Sequence, residues 1–228
     1  MKKLLFLLLS ALLIPNLSYS QKAYGSELSA TVAIPTGPSS EYFNTGYGAI
    51  GGFYYDMESD WRIGLTLGFI RFGANNTELN NYFQTRLPAG TEGTIEIDGS
   101  VSTIPILLSC KYIIPSGAST KFYGIIEGGL YTYWTKTKGK VVYTAPDAGE
   151  VPFDKSEFSS EIGWDLGFGA LFSVSEEVSI DASVRYHFVR NEGTIKVNYD
   201  NQGNYKDESV GSSHFLNIGI GANWNFNL

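Results

Sequence analysis

From Trp61 to Ile70 the side chains alternate. Trp61, Ile63, Leu65, Leu67 and Phe69 are apolar, and Arg62, Gly64, Thr66 and Gly68 between them are small or polar. The same period of two runs through 158–172, 178–189 and 214–228. Successive side chains of a strand point to opposite faces, so a chain with this period folds as a sheet with one apolar and one polar face. After residue 20 no stretch of 18 apolar residues occurs, which leaves no candidate for a transmembrane helix.

Four weaker segments, roughly 23–34, 46–56, 100–114 and 121–135, bring the strands to eight. Short links fall near 57–60, 116–120 and 174–177; long ones cover about 35–45, 73–99, 138–157 and 191–212. An even number of strands with alternating short and long connections predicts an all-β fold, an eight-stranded antiparallel up-and-down transmembrane barrel. With both termini in the periplasm, the three short turns lie there and the long loops face outward.

A secreted lipocalin-like binding barrel also has two-faced strands, but with the apolar face inside. Three features favour the membrane form. The apolar face takes even positions in strands one and four to eight, and odd positions in strands two and three. None of those positions is Asp, Glu, Lys or Arg, although charged residues make up 17% of the chain. The opposite face is mostly Gly, Ser, Thr and Asn, as in Asn217, Gly219, Gly221, Asn223 and Asn225, which suits a narrow filled lumen. Aromatics gather at strand ends, where amphipathic rings favour the membrane interface. Tyr24, Phe53, Tyr55, Trp61, Tyr112, Phe122, Phe172, Trp224 and Phe226 are expected in a periplasmic girdle, and Tyr47, Phe69, Trp134, Phe158 and Phe188 in an outer one.

The N-terminus carries Lys2 and Lys3, an apolar run from Leu4 to Ile14, and Ser18-Tyr19-Ser20. This is the pattern of a secretory signal peptide over 1–20, cleaved before Gln21. A single barrel domain then covers 21–228. Losing the two lysines takes the net charge from -7 to -9, which gives no electrostatic footprint for nucleic acid. The single cysteine, Cys110, excludes a disulfide framework and has the lipid-facing parity. Two histidines of opposite parity form no metal site, and no cofactor is implied.

Several stretches carry a family resemblance: Ile34-Pro35-Thr36-Gly37, Ile104-Pro105-Ile106, Gly167-Phe168-Gly169-Ala170, Val184-Arg185-Tyr186 and the closing Trp224-Asn225-Phe226-Asn227-Leu228. In these the chain resembles the small outer-membrane β-barrels of the OmpA/OmpX/OmpW-like kind, including those of Bacteroidota. The resemblance implies a Gram-negative outer-membrane protein in contact with outer-membrane lipid and lipopolysaccharide; nothing follows the eighth strand, so no peptidoglycan-binding domain of the OmpA type is expected. The closing strand resembles the signal read by the barrel-assembly machinery, although the chain ends in Leu228 with Phe226 two residues earlier. Lipid A deacylases are also eight-stranded barrels, and Arg185-Tyr186-His187-Phe188-Val189 is superficially similar to their active segment. Val189 stands where their serine belongs, and neither this segment nor Ser212-Ser213-His214 is read as catalytic.

The polar face nevertheless holds charge. By parity Glu27, Arg62, Lys111, Glu127, Glu161, Asp165, Asp181, Arg185 and His187 point inward. The turn after strand six sets Asp165 opposite either Arg185 or His187, so a basic partner is expected in both registers. The expected role is an ion-pair plug, with a gate or proton-sensitive site as the alternative. If Arg185 is the partner, Arg185→Ala leaves Asp165 unpaired. In the loops, Glu92-Gly93-Thr94-Ile95-Glu96-Ile97 resembles Glu192-Gly193-Thr194-Ile195-Lys196-Val197, and Lys140-Val141-Val142-Tyr143 is also rich in β-formers. Strands three to eight are therefore expected to project beyond the membrane as a partly exposed sheet that could add a surface protein's strand. The expected protein is a non-enzymatic monomer with an envelope-structural or surface-interaction role; the second reading is a narrow porin-like channel.

Overall fold

The computed structural model describes residues 23–57, 60–84, 93–114, 119–143, 150–190, 194–198, 205–209 and 213–227. Eight long strands form a barrel: β1 (Ala23–Thr36), β2 (Phe43–Asp56), β3 (Trp61–Ala74), β4 (Gly93–Ile113), β5 (Thr120–Tyr143), β6 (Glu150–Ser173), β7 (Val178–Val189) and β10 (Ser213–Asn227). They close on themselves in the order β1-β10-β7-β6-β5-β4-β3-β2, every neighbour antiparallel. A separate ribbon pairs β8 (Thr194–Asn198) with β9 (Tyr205–Ser209). The proposed signal peptide lies outside the described residues.

Closure is made by the first and last strands, which pair continuously from Ala23↔Asn227 to Thr36↔His214. This removes the open edges that a flat sheet would present. Three tight connections share one end of the barrel: Met57 N–H donates to Trp61 O (2.9 Å), Ile114 N–H to Phe122 O (2.8 Å) and Val174 N–H to Val178 O (2.9 Å). This is called the turn end below, and the opposite one the loop end.

The loop end is uneven. β4, β5 and β6 run on past their neighbours, pairing from Gly93↔Tyr143 and Val142↔Glu150 down into the barrel. β3 and β7 do not follow, contrary to the expectation of a sheet built from strands three to eight. β3 stops at Ala74 because the next residues start a helix, α1 (Asn76–Gln84). Asn75 Oδ1 accepts the Glu78 N–H (3.4 Å), the N-cap arrangement that Asn followed three residues later by Glu favours. β7 stops at Val189, and of the described residues between it and β10, 194–198 pair with 205–209 in the β8–β9 ribbon. The first link is also shorter than expected. A 3-10 turn at Gly37–Ser40, with Gly37 at a φ of 64°, turns β1 toward β2. Most L residues avoid that region, so glycine suits the corner. The two similar loop hexapeptides end in different settings: 93–97 pairs with β5, and 194–197 with β9.

The faces are sorted the reverse way from a soluble protein. Leu108 (59% exposed), Ile126 (52%), Ile162 (73%) and Ile220 (64%) are among many large apolar residues on the outside. Buried on the inside are Glu27, Lys111, Glu127, Asp165, Asp181 and Arg185. An apolar belt of this extent is stable only against hydrocarbon; in water it would be a contiguous aggregation surface. Aromatics border the belt. Near the turn end Tyr24 contacts Phe53 and Tyr55 (centroids 6.0 and 5.4 Å apart), and Trp61 contacts Tyr112 (4.8 Å). Phe122, Phe172 and Phe226 are exposed at the same end, with Trp224 half-buried. Toward the loop end stand Tyr47, Phe69, Trp134 and Phe158, all exposed. A charge placed in the belt, as in Ile126→Lys or Leu65→Arg, is expected to lower the unfolding free energy in lipid vesicles by about 2–4 kcal/mol. Urea titration followed by tryptophan fluorescence measures it, and Lys138→Ala, beyond the belt, is expected to change it by less than about 1 kcal/mol.

Candidate functional site

The lumen is built in layers. Near the turn end, Ile113, Tyr123, Ile125 and Leu171 pack together. Toward the loop end, Ala33, Ile50, Ile70, Phe72, Leu107, Tyr131, Tyr133, Val189 and Phe215 form a second apolar cluster. Between them lie the charges. Along β5 this order is simply the inward parity: Tyr123, Ile125, Glu127, then Tyr131 and Tyr133.

Arg185 is the centre of the middle layer. Its Nη2 donates to Glu27 Oε1 (2.9 Å) and its Nη1 to Glu127 Oε2 (2.7 Å). Lys111 Nζ takes the other oxygen of Glu27, Oε2, at 2.6 Å. Thr66 donates its hydroxyl to Glu127 Oε1. All four charged side chains are buried, and each is compensated by direct, charge-assisted hydrogen bonds. Lys111 also lies 4.3 Å from the Tyr123 ring centroid, and Tyr123 donates to Asp181 Oδ1 (2.8 Å).

The β6–β7 register sets Asp165 opposite His187, and Gly167 opposite Arg185. Of the two registers compatible with the sequence, this is the one with histidine as the partner. His187 Nδ1 stands 3.1 Å from Asp165 Oδ2 and 2.8 Å from the Tyr131 hydroxyl, which is itself 3.4 Å from the carboxylate. Asn217 Nδ2 is 3.1 Å from His187 Nε2, an orientation that turns the Nδ1 proton toward Asp165. The ring stacks on Phe215 with centroids 4.3 Å apart. The expectation that Arg185→Ala would strand Asp165 is therefore corrected: the groups stranded are Glu27 and Glu127.

Glu127 and Asp165 are direct cross-strand neighbours. Like charges so placed repel, and each carboxylate is compensated by its own partners, Arg185 with Thr66 for one and His187 with Tyr131 for the other. The remaining charged candidates lie outside this layer. Arg62 is half-buried at the turn end, with Nε 2.7 Å from Asp56 Oδ1. Glu161 is half-buried at the loop end, opposite Tyr131.

Glycines make room for these side chains. A Cβ at Gly163 would come within 2.7 Å of Tyr131, at Gly167 within 2.8 Å of Arg185 Cγ, and at Gly169 within 2.5 Å of Tyr123. Beside Glu27, Arg62 and Lys111, and again beside Ser29, Arg185 and Asn217, lies a cavity of about 10 Å³. That is room for about one water molecule.

Selecting charged residues by parity misses the uncharged half of the lumen network. Tyr123, Tyr131, Thr66 and Asn217 all have the inward parity, and the same rule finds them. Phe188, expected in the outer girdle, belongs to an outward aromatic group. Trp164 stacks on its register partner Phe188 (4.1 Å), which meets Tyr186 (4.5 Å) and His214 (5.3 Å). Among the described residues no cluster of His, Cys, Asp and Glu is arranged to hold a metal ion.

Fold and lumen together define a closed membrane-type β-barrel with a filled, ionised interior. No protein-family model and no curated protein matches the chain. Among solved structures it is similar to Neisserial surface protein A, with 15% identity, a TM-score of 0.46, and coverage of 91% of this chain and 98% of that one. It is also similar to Ail, the attachment invasion locus protein of Yersinia pestis (14%, TM-score 0.47, 91% and 100%). A major outer membrane protein from Thermus thermophilus matches at 14%, with a TM-score of 0.46 over 88% and 99%. At such distances the assignment of the fold rests on this chain's own strand register.

Arg185→Ala leaves two buried carboxylates without their guanidinium and is expected to cost about 3–5 kcal/mol of unfolding free energy. Denaturant titration in micelles measures the loss. Tyr131→Phe, which removes one hydroxyl from the Asp165–His187 pair, is expected to cost about 1–3 kcal/mol in the same assay. Gly167→Val is expected to reduce the yield of folded barrel, read as the fraction with altered mobility on an unboiled gel, because its side chain occupies the path of Arg185.

Proposed function

We propose that this chain is a monomeric, non-enzymatic integral protein of a Gram-negative outer membrane, a closed plug that carries a surface-exposed sheet. In this reading the signal peptide over 1–20 is removed, and the closing strand β10 engages the barrel-assembly machinery. The turn end faces the periplasm and the loop end faces outward. The observation that carries the reading is the filled lumen. Two apolar layers enclose the network of Glu27, Lys111, Glu127 and Arg185, and the cavities beside it admit about one water each. A solute path would have to break ion pairs that are buried at both carboxylates and both cations. The outward apolar belt argues equally against a soluble lipocalin-like barrel, whose apolar face must line its interior.

The surface role rests on the long strands. β6 pairs with β7 only from Gly163↔Val189 downward, and Arg190 N–H reaches Ile162 O (3.3 Å) at the last step. Above that point, over 150–161, the side of β6 away from β5 has no paired strand among the described residues. A free strand edge is a template for an added strand, and a protein partner is the natural occupant.

Planar-bilayer recording tests the plug. The purified barrel is expected to give no resolved conductance steps, and reproducible steps in the unaltered protein would favour the channel reading. Floatation with vesicles and heat-modifiable gel migration separate both membrane readings from a soluble barrel.

A further inference from the structure

Among the described residues the outward face carries no charge through the belt, and two of the first cations beyond the loop-end aromatics share the β3–β5 sector; Arg190, also exposed, follows Phe188 by two residues in another sector. Arg71 on β3 and Lys136 on β5 keep the outward parity, two residues past Phe69 and Trp134, and both are exposed. Arg71 lies between Tyr47 and Ser102 in the register, yet its Nη2 is 3.3 Å from the hydroxyl of Ser100, one outward position further along β4. Ser100 is the register partner of Lys136, and Lys136 the partner of Ser156. The Lys136 ammonium sits over the Trp134 ring, 4.3 Å from its centroid, while Trp134 Nε1 donates to Ser156 Oγ (2.7 Å). A guanidinium, an ammonium and the serine hydroxyls thus share one strip of surface.

Further out the pattern changes. Lys138 is matched to Asp154 (3.2 Å) and Lys140 to Glu96 (3.4 Å). Among the described residues no carboxylate forms an ion pair with Arg71 or Lys136. Both stand two residues beyond Phe69 and Trp134, at the level where interfacial aromatics place lipid headgroups.

We propose that Arg71, Lys136 and the hydroxyls of Ser100 and Ser102 bind the phosphate of a lipid headgroup in the leaflet at the loop end. The guanidinium and the ammonium supply charge-assisted donors to phosphate oxygens. The acyl chains of the same lipid lie on Phe69, Ile106 and Leu130 below, so one molecule engages both the cations and the belt. This site deepens the membrane reading above and depends on it.

The test uses the full mature protein in neutral-detergent micelles, with native mass spectrometry as the readout. Three probes are titrated: diphosphorylated lipid A, its fully dephosphorylated form, and inorganic phosphate. The unaltered protein is expected to retain the phosphorylated lipid. Arg71→Ser or Lys136→Ser should weaken it about fivefold each and the pair about thirtyfold, with Lys138→Ser unchanged. Unaltered heat-modifiable migration shows that each variant is folded, as expected for exposed positions. Equal affinity in the double variant, or equal retention of the dephosphorylated lipid, overturns the site. Displacement of the lipid by inorganic phosphate at comparable concentration overturns the lipid as its ligand. Failure of the membrane reading is seen separately, as a protein that does not float with vesicles.

Discussion

The Arg185 guanidinium joins Glu27 on β1 to Glu127 on β5, and Lys111 on β4 takes the free oxygen of Glu27. Four strands that are not all neighbours in the sheet are thereby tied across the lumen. The backbone ladder determines which strands lie side by side, but it leaves the cross-section free to flatten. Buried charge-assisted bonds of defined length set the distance between opposite walls. Taking these ions out of water is costly, and removing any one member leaves its partner uncompensated. Single losses within the network are therefore costly.

The surrounding structure follows from that centre. Hydrocarbon outside excludes charge from the outward positions, so polar groups collect on the inward ones. A lumen of eight strands is narrow, and a guanidinium or a tyrosine ring fits only opposite a residue with almost no side chain. β6 supplies Gly163, Gly167 and Gly169 against Tyr131, Arg185 and Tyr123 in turn. Large and small residues alternate across strands just as apolar and polar ones alternate along them. The apolar layers of Tyr131, Tyr133, Phe72 and Phe215 on one side and Tyr123 with Ile113 on the other keep bulk water from the ions.

The barrel itself is legible from alternation alone, because a period of two leaves each residue one of two faces. Parity puts Lys111, Glu127, Asp165 and Arg185 inside, and it narrows the β6–β7 register to two choices. It cannot choose between them. That decision depends on the length of the turn at 174–177 and on whether Arg185 or His187 fits beside Asp165, which is a matter of volume in three dimensions. Contacts between strands remote in sequence, such as Arg185 with Glu27, carry no signature in a periodic pattern. The helix at Asn76–Gln84 escapes alternation for a different reason. Its start is written in Asn75 and Glu78, but a search for period two passes over nine residues of another period and sees only a long connection.

The unequal heights of β4–β6 and their neighbours give the mouth of the barrel a slope. On the β7–β10–β1 side the wall ends near Val189, Ser213 and Thr36; on the other side it continues to Tyr143 and Glu150. Among the described strands of the barrel, one flank is a tall wall and the other a low one. The molecule thus has a front and a back in the plane of the membrane, and two copies side by side can present the tall wall toward each other or away.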